Sequence, residues 1–454
     1  MSQVAVSLAS RLGEVVGAGH VISDGASLAA HEVDGRRPSA VLQPASVAEI
    51  AEILRFAAAE RLALIPTGGR THLHIGMPPH RYDLALDLAG MNRVLAFEPH
   101  DLTLGVEPGI TCAELDRALR ARGQFLPLAP PLAERATLGG IVAAGVDTPF
   151  RYAHGTARDF LLGMEFVTGE GIVSKSGGRV VKNVTGYDIH KLFIGSLGTL
   201  GIITRLNFRT FPLPPAQRMF LAAFADVSGA LALCRAIAKS PLQPRVLDVL
   251  DSGAAGLFAG RGAGFLPQNS WVVVIEAGGH KAVLERYTRD LAAMSKEAHS
   301  SEFVALDDDK RDQAFACLCE FSSLAFGASS AATILRVAAL PSTLPALLEE
   351  MRKLTDRHAL DCSILIRALG VVYFAILPPA DPKTFPELLS CAREMMDVCM
   401  ASGAAPMIER CPLDMKKTLG IWPPSGSERE IAERLKRVFD PHSILSPGRF
   451  RGGI

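Results

Sequence analysis

Residues 193–205, FIGSLGTLGIITR, constrain the fold more than any other stretch, because three glycines (Gly195, Gly198 and Gly201) fall within seven residues. Glycines at this spacing let the backbone take positive φ or approach another group closely. A helix-like segment ends at Phe193 or Ile194 ahead of them. Behind them the run Ile202, Ile203 and Thr204 reads as a buried strand, being nearly continuous in apolar and β-branched residues. Such a turn presents main-chain N–H and C=O groups, which suits a large planar cofactor. The same pattern also serves an ordinary helix–strand connection.

Upstream, 40–44 reads as a short strand, Ser46 as the cap of a helix over 47–60, and 62–66 as a second strand, giving a β-α-β unit. This unit delivers the chain into TGGRTHLHIG, residues 67–76. Gly68 and Gly69 remove side chains so that successive N–H groups can point at phosphate oxygens, with Thr67 and Thr71 as added donors. The loop matches neither the dinucleotide G-x-G-x-x-G nor the Walker pattern, which disfavours NAD-type and P-loop readings. A glycine turn that only changes direction remains the alternative. Three short strands follow at 84–88, 94–97 and 103–106. Thr111 then caps a helix over 113–122, and a small-residue helix spans 140–145, its N-terminus suited to a phosphate or a ring carbonyl. Residues 151–159 precede a strand over 161–168.

Lys+Arg and Asp+Glu both number 47 in the 454 residues, so no bulk field draws this chain to nucleic acid or anionic lipid. Its length allows two or three domains. The eight cysteines are scattered, and Cys317-Leu-Cys319 without a second pair is a poor metal signature, so no metal or iron–sulfur ligation by this chain is expected. Free thiols suit a cytoplasmic protein. No uncharged apolar run reaches spanning length, so any membrane association is expected only through partner subunits. Asn183-Val-Thr185 fits the glycosylation pattern but has no role in the cytoplasm.

The order of PTGGRTHLHIG, EPGIT, ATLGGIVAAG, YAHGTARDF, KNVTGYDIHKLFIGSLGTLGIIT and FDPHSILSPGRF resembles the FAD-linked oxidases of the vanillyl-alcohol-oxidase superfamily, whose FAD-binding domain is of the PCMH type. Within it, GGRVVKNVTGYDIHKLFIGSLGTLG and the FPLP turn most resemble the E-type branch of the bacterial glycolate oxidase flavoproteins. The resemblance covers 38–215 strongly and 428–450 clearly; between them only the layout matches. It implies an α+β fold: a two-subdomain FAD-binding domain over 1–215 (about 1–98 and 99–215), an antiparallel-sheet cap over 216–422, and a C-terminal helix and turn, 423–454, returning to the FAD domain. FAD is implied as the cofactor. Pro66, Thr67, Gly68, Gly69, Arg70, Thr71, His72 and Leu73 would hold its pyrophosphate. Pro130, Thr137, Gly139, Gly140 and Gly145 would line the ribityl chain and ring. His154, Gly155, Thr156 and Asp159 would border the flavin, and Gly198, Gly201, Ile202 and Ile203 the adenosine end. Relatives with covalent FAD carry histidine after the paired glycines. Arg70 stands there, so non-covalent FAD is implied, with His72 and His74 the nearest groups for a covalent link.

From residue 219 the pattern is strand–helix–strand–strand twice over, which suggests ferredoxin-like split β-α-β units in one antiparallel sheet, a cap over the flavin. Linkers are expected at 211–215 and 420–426, and Ser427 with Glu430 as a capping box for a helix over 428–438. Oxidising a 2-hydroxy acid needs a base for the hydroxyl and cations for the carboxylate. His154, Tyr187, His190 and Asp188 are candidates for the first role. Arg367 and Tyr373, which flank the hairpin at Leu369-Gly370, are candidates for substrate contact, with Arg336 and Arg410 on other strands. Tyr187 equally suits a structural place, packed under the cofactor domain. Two departures from the family's catalytic hydroxy-acid dehydrogenases stand out: Leu197 replaces a glutamate, and the cap lacks E-H-G and paired histidines.

The implied function is the FAD-binding subunit of a glycolate (2-hydroxy acid) oxidase complex, with a second flavin subunit and an iron–sulfur subunit as partners. A self-sufficient FAD oxidoreductase and a non-catalytic flavin-stabilised subunit are the alternatives.

Overall fold

In the computed structural model, residues 8, 10–15, 17–179, 186–379, 381–424 and 426–454 are described. The Asn183 glycosylation pattern lies outside them. Two compact units make up the chain. One comprises Met1–Val146, Thr156–Pro212 and Pro424–Ile454; the other comprises Asp147–Gly155 and Leu213–Pro423.

The first unit includes β1 (Ala40–Leu42), α1 (Val47–Glu60) and β2 (Leu64–Thr67). The Ser46 side chain accepts the Glu49 N–H at 3.2 Å and so starts α1, whose Ile50, Ile53, Leu54 and Ala57 face the core. Strand β3 (Leu84–Asp87) pairs in parallel with both β1 and β2 and lies between them. Then come β4 (Val94–Glu98), β5 (Thr103–Val106), α2 (Cys112–Arg120), α3 (Leu138–Ala144), β6 (Leu161–Val167), β7 (Val173–Gly177) and β8 (Ile202–Arg209). A capping box between Thr111 and Glu114 fixes the start of α2. The five strands form an antiparallel sheet in the order β4-β5-β8-β6-β7. Leu104, Val106, Ile141, Phe160, Leu206 and Phe208 share one buried cluster beside it. Strand β8 is central, paired with both β5 and β6, and its Ile202, Ile203, Leu206 and Phe208 are buried.

The C-terminal helix Glu428–Phe439 and the strap after it belong to this unit. The Leu64 N–H donates to the Ile444 carbonyl and the Ser446 N–H to the Leu64 carbonyl, each at 2.7 Å, so residues 444–446 run parallel along the free edge of β2. Lys436 Nζ donates to the carbonyls of Thr199 and Leu445 and pairs with Asp440, tying helix, strap and glycine turn together. The expected Ser427 capping box is not formed. Ser427 has helical dihedrals (φ −63°, ψ −21°) and makes no side-chain cap bond, and Glu428 instead accepts the Gly426 N–H.

The second unit contains β9 (Ala216–Phe224), α4 (Val227–Lys239), β10 (Val246–Leu250), α5 (Ser252–Ala259), β11 (Trp271–Gly279), α6 (Lys281–Glu297) and β12 (Glu302–Ala305). After α7 (Asp308–Ala328) come β13 (Thr333–Ala338), α8 (Leu344–Arg357), β14 (Asp361–Arg367), β15 (Val371–Leu377), α9 (Phe385–Ala401) and β16 (Ala405–Arg410). The eight strands form one antiparallel sheet ordered β12-β9-β11-β10-β14-β15-β13-β16. Read outward from the β10–β14 junction, each half has the same order, so two split β-α-β units meet at a central seam. Helices α5 and α7 and the strand β12 have no counterpart in the sequence reading.

Candidate functional site

A groove opens in the first unit, with about 770 Å³ of non-atom space counting the open solvent at its mouth. It is lined at one end by the loop that β2 launches (Pro66, Thr67, Gly68, Gly69, Arg70, Thr71, His72 and Leu73) and at the others by α3, the 197–203 turn and Arg449. Thr137, Gly139, Gly140, Gly198, Gly201 and Ile203 also line it. Pro130, Gly145 and Ile202 do not: Ile202 is wholly buried in the core, and Gly145 closes α3 at φ +63° against Gly195. Thr156 and Asp159 cap the short helix Ala157–Phe160 instead. His154 and Gly155 belong to the 147–155 stretch of the second unit.

The glycines of the groove serve two distinct needs. A Cβ on Gly69 would sit 1.6 Å from the Arg135 carbonyl, and one on Gly68 2.3 Å from Thr137 Oγ1, so the loop lies flush against the segment before α3. Gly198 takes φ +72° against Pro66, while Gly201 lies against the Val167 carbonyl. Gly140 is different: a Cβ there would meet, beyond its own helix and among the described residues, only Thr137 Oγ1 within 4 Å, at 3.2 Å. The turn is fastened to α3, with the Gly195 and Leu197 N–H groups donating to the Val142 and Ala143 carbonyls at 3.0 and 2.8 Å.

Arg70 (φ +58°) and Arg449 supply positive charge, and among the described residues no carboxylate lines the groove. Arg70 Nη1 lies 3.2 Å from His31 Nε2 and 3.6 Å from Asp87 Oδ2. Burial works to raise the Asp87 carboxyl, but hydrogen bonds from His31, Ala89 and Gln43 outweigh it and hold Asp87 below the usual carboxylate range. Arg449 is 2% exposed and its Nε has no partner among the described residues. Bare main chain, two cations and an unpartnered buried donor fit the diphosphate of a dinucleotide. Leu88, Pro108, Ala143, Ala144 and Arg449 also line the groove and were not foreseen, and so does Leu197, noted in the sequence as replacing a glutamate. Only Arg449 had a signal, as the one cation within the terminal SPGR run.

The second unit holds a buried charge network. Arg367 and Tyr373 project from the same face of the β14–β15 pair, the guanidinium 5.5 Å from the ring centroid. Arg367 donates from Nε to Asp248 Oδ2 at 3.3 Å and from Nη2 to the Leu318 carbonyl at 2.8 Å. The Tyr373 hydroxyl donates to Asp147 Oδ2 at 3.4 Å, and Asp147 also pairs with Arg151. Arg336 sits opposite Tyr373 in register. Burial raises the Tyr373 hydroxyl well above its ordinary value, with Asp147 and Glu409 adding to it, so it stays protonated and donates. Tyr187 does not pack under the cofactor domain: its side chain is 90% exposed, and its carbonyl accepts from Ser176 Oγ and from the Ile189 N–H. His190, by contrast, is buried with Nδ1 3.0 Å from Ser176 Oγ. Among the described residues no three His, Cys, Asp or Glu side chains converge as metal ligands, and no helix is long and apolar enough to cross a membrane.

Residues 38–177 match the FAD binding domain family and residues 213–403 the family of FAD linked oxidases, C-terminal domain. The glycolate oxidase subunit GlcD of Bacillus subtilis (strain 168) is 27% identical over 430 residues, 91% of this chain and 88% of the relative. The D-2-hydroxyglutarate dehydrogenase of Stutzerimonas stutzeri (strain A1501) is 24% identical over 98% of both chains. The glycolate oxidase subunit GlcE of Escherichia coli (strain K12) is 34% identical, but over 37% of this chain and 47% of its own. Among solved structures, p-cresol methylhydroxylase with substrate bound aligns with a TM-score of 0.79 at 18% identity, covering 99% of this chain and 97% of the other. The 4-ethylphenol oxidase from Gulosibacter chungangensis aligns at 0.76 and 20% identity with the same coverage, so both speak to the fold.

Proposed function

The chain belongs to the FAD-linked oxidases, and on that premise we propose that it is a flavin-bearing subunit of a glycolate oxidase-type complex that oxidises a small 2-hydroxy acid. The observation that carries this reading is the glycine-walled, carboxylate-free groove of the first unit, joined to similarity with hydroxy-acid oxidases and dehydrogenases along nearly the whole chain. When bound, FAD supplies the acceptor for the hydride from the substrate's α-carbon. The loop amides with Arg70 and Arg449 hold the dinucleotide, and we take it to be held non-covalently, since Arg70 stands where relatives with covalent FAD carry histidine. Tyr373 and His154 are proposed to serve the substrate, with Tyr373 kept protonated as a hydrogen-bond donor. Arg367 is committed to Asp248 and Leu318 and is proposed to act through the network, as a positioning residue. Tyr187, at 90% exposure and outside the groove, carries no part in this reading.

Electrons are proposed to leave through an iron–sulfur partner. A second reading is favoured by the extent of the GlcD similarity, which includes the second unit, whereas that to GlcE covers about a third of the chain: catalysis by this chain alone. Anaerobic addition of glycolate, D-lactate or D-2-hydroxyglutarate to the purified flavoprotein separates the two. Bleaching of the flavin only when the iron–sulfur and second flavin subunits are co-purified supports the complex. Bleaching in the single chain supports the second reading, and no bleaching in either sample removes the hydroxy-acid assignment.

A further inference from the structure

Arg449 differs from three other buried cations among the described residues. Arg367 has Asp248, Arg245 has Glu276 and Lys436 has Asp440. Arg449, 2% exposed, has no such carboxylate among the described residues. Its Nη2 donates to two carbonyls, those of Leu73 (2.7 Å) and Ile75, and its Nε donates to nothing. Asp34 favours the cation only from beyond ion-pair distance, and burial pushes the guanidinium below its ordinary value. Arginine does not escape this by losing its proton. An uncompensated buried charge is expensive, so a folded protein that keeps one at a groove wall is set up for an anion from outside the chain.

The backbone around it is built to hold that charge in place. Gly76, at φ +104°, is bare where a Cβ would lie 3.2 Å from Arg449 Nη2 and 2.9 Å from its carbonyl oxygen. The Met77 N–H donates to that carbonyl at 2.9 Å. Both Nη2 acceptors follow directly on the glycine loop, so the guanidinium is clamped to the same chain segment whose amides face the groove.

We propose that Arg449 is the cation that pairs with the diphosphate of the bound flavin dinucleotide, so that the C-terminal strap is part of the cofactor site. This rests on the reading of the groove as the FAD site and deepens it. The test is made on full-length apoprotein, stripped of flavin, with FAD and ADP as probes and circular dichroism as the check on folding. Arg449→Gln keeps a side-chain donor for the two carbonyls but removes the charge. FAD and ADP are expected to bind it roughly 10- to 100-fold more weakly, as for loss of a charge-assisted hydrogen bond. Its apoprotein is expected to melt no lower than wild type, since an unpaired charge has been removed. Arg449→Lys restores the charge and is expected to recover affinity to within a few-fold.

Wild-type affinity for FAD in Arg449→Gln overturns the proposal, as does Arg449→Lys binding no better than Arg449→Gln. Weakened FAD binding with unchanged ADP binding also overturns it, since the anion would then be on the flavin ring. Failure of wild-type apoprotein to take up FAD strikes the groove reading itself. These readouts need no hydroxy acid and stand apart from the choice of substrate.

Discussion

Asp248 and Arg367 are directly paired across the seam where the two halves of the second unit's sheet meet, Oδ2 3.3 Å from Nε, with the side chains 0% and 5% exposed. Neither can be relieved by water, but the two are not equivalent when separated. A buried aspartate left alone takes up a proton, whereas a buried arginine stays charged. Asp248→Asn is therefore expected to cost about 3–5 kcal/mol of stability, and Arg367→Met distinctly less. Urea midpoints of the two variants at neutral pH measure this; equal losses would remove the distinction.

The same pair makes stability depend on pH. Burial pushes the Asp248 carboxyl up to about 6 despite the pull of Arg367, from about 3.9 in an unfolded chain. The folded state thus holds the proton to higher pH than the unfolded state does. The resulting contribution is complete below about pH 4 and is lost as the pH rises through about 6, amounting to about 3 kcal/mol. Wild type should lose that much relative to Asp248→Asn between pH 4 and 7. A flat difference between their stability curves would show that the carboxyl titrates normally.

Gly69 and Gly140 separate packing from ligand space. Gly69→Ala drives a methyl group into the Arg135 carbonyl, so its apoprotein is expected to be destabilised by about 1–3 kcal/mol and to hold FAD poorly. Gly140→Ala puts the methyl group toward the groove at a helical position where alanine is favoured by about 1 kcal/mol. Its apoprotein should melt at or above the wild-type temperature while FAD binds more weakly. Flavin fluorescence titration and apoprotein melting curves decide the matter, and full FAD affinity in Gly140→Ala would place the cofactor elsewhere.

Much of this is legible in the chain because the signals are local. The apolar, β-branched run at 202–204 marks the start of β8, and the paired glycines after β2 mark the loop that lines the groove. What escapes is non-local or diluted. Helix α7 buries Ala314, Cys317, Leu318, Phe321 and Ala325 at helical spacing, but Ser322, Ser323 and Gly327 break up its apolar stripe. The 147–155 stretch reads with the cofactor domain because the chain arrives from α3. Only the contacts of Asp147 with Tyr373 and of Phe150 with Phe315 and Arg245 reveal that it packs with the other unit. Arg449 reaches Leu73 over a separation of 376 residues, a distance no motif spans. Ser427 shows the opposite error, since a correct capping pattern fails when the residue itself adopts helical dihedrals.

The strap along β2 also sets an order of events during synthesis. Residues 64–73 leave the ribosome early, yet the edge of β2 stays unpaired and the groove wall incomplete until residues 444–449 emerge. Nascent chains are thereby expected not to capture flavin, which makes loading a step after translation. Chains truncated before Ile444 should accordingly be recovered colourless, even with flavin in excess.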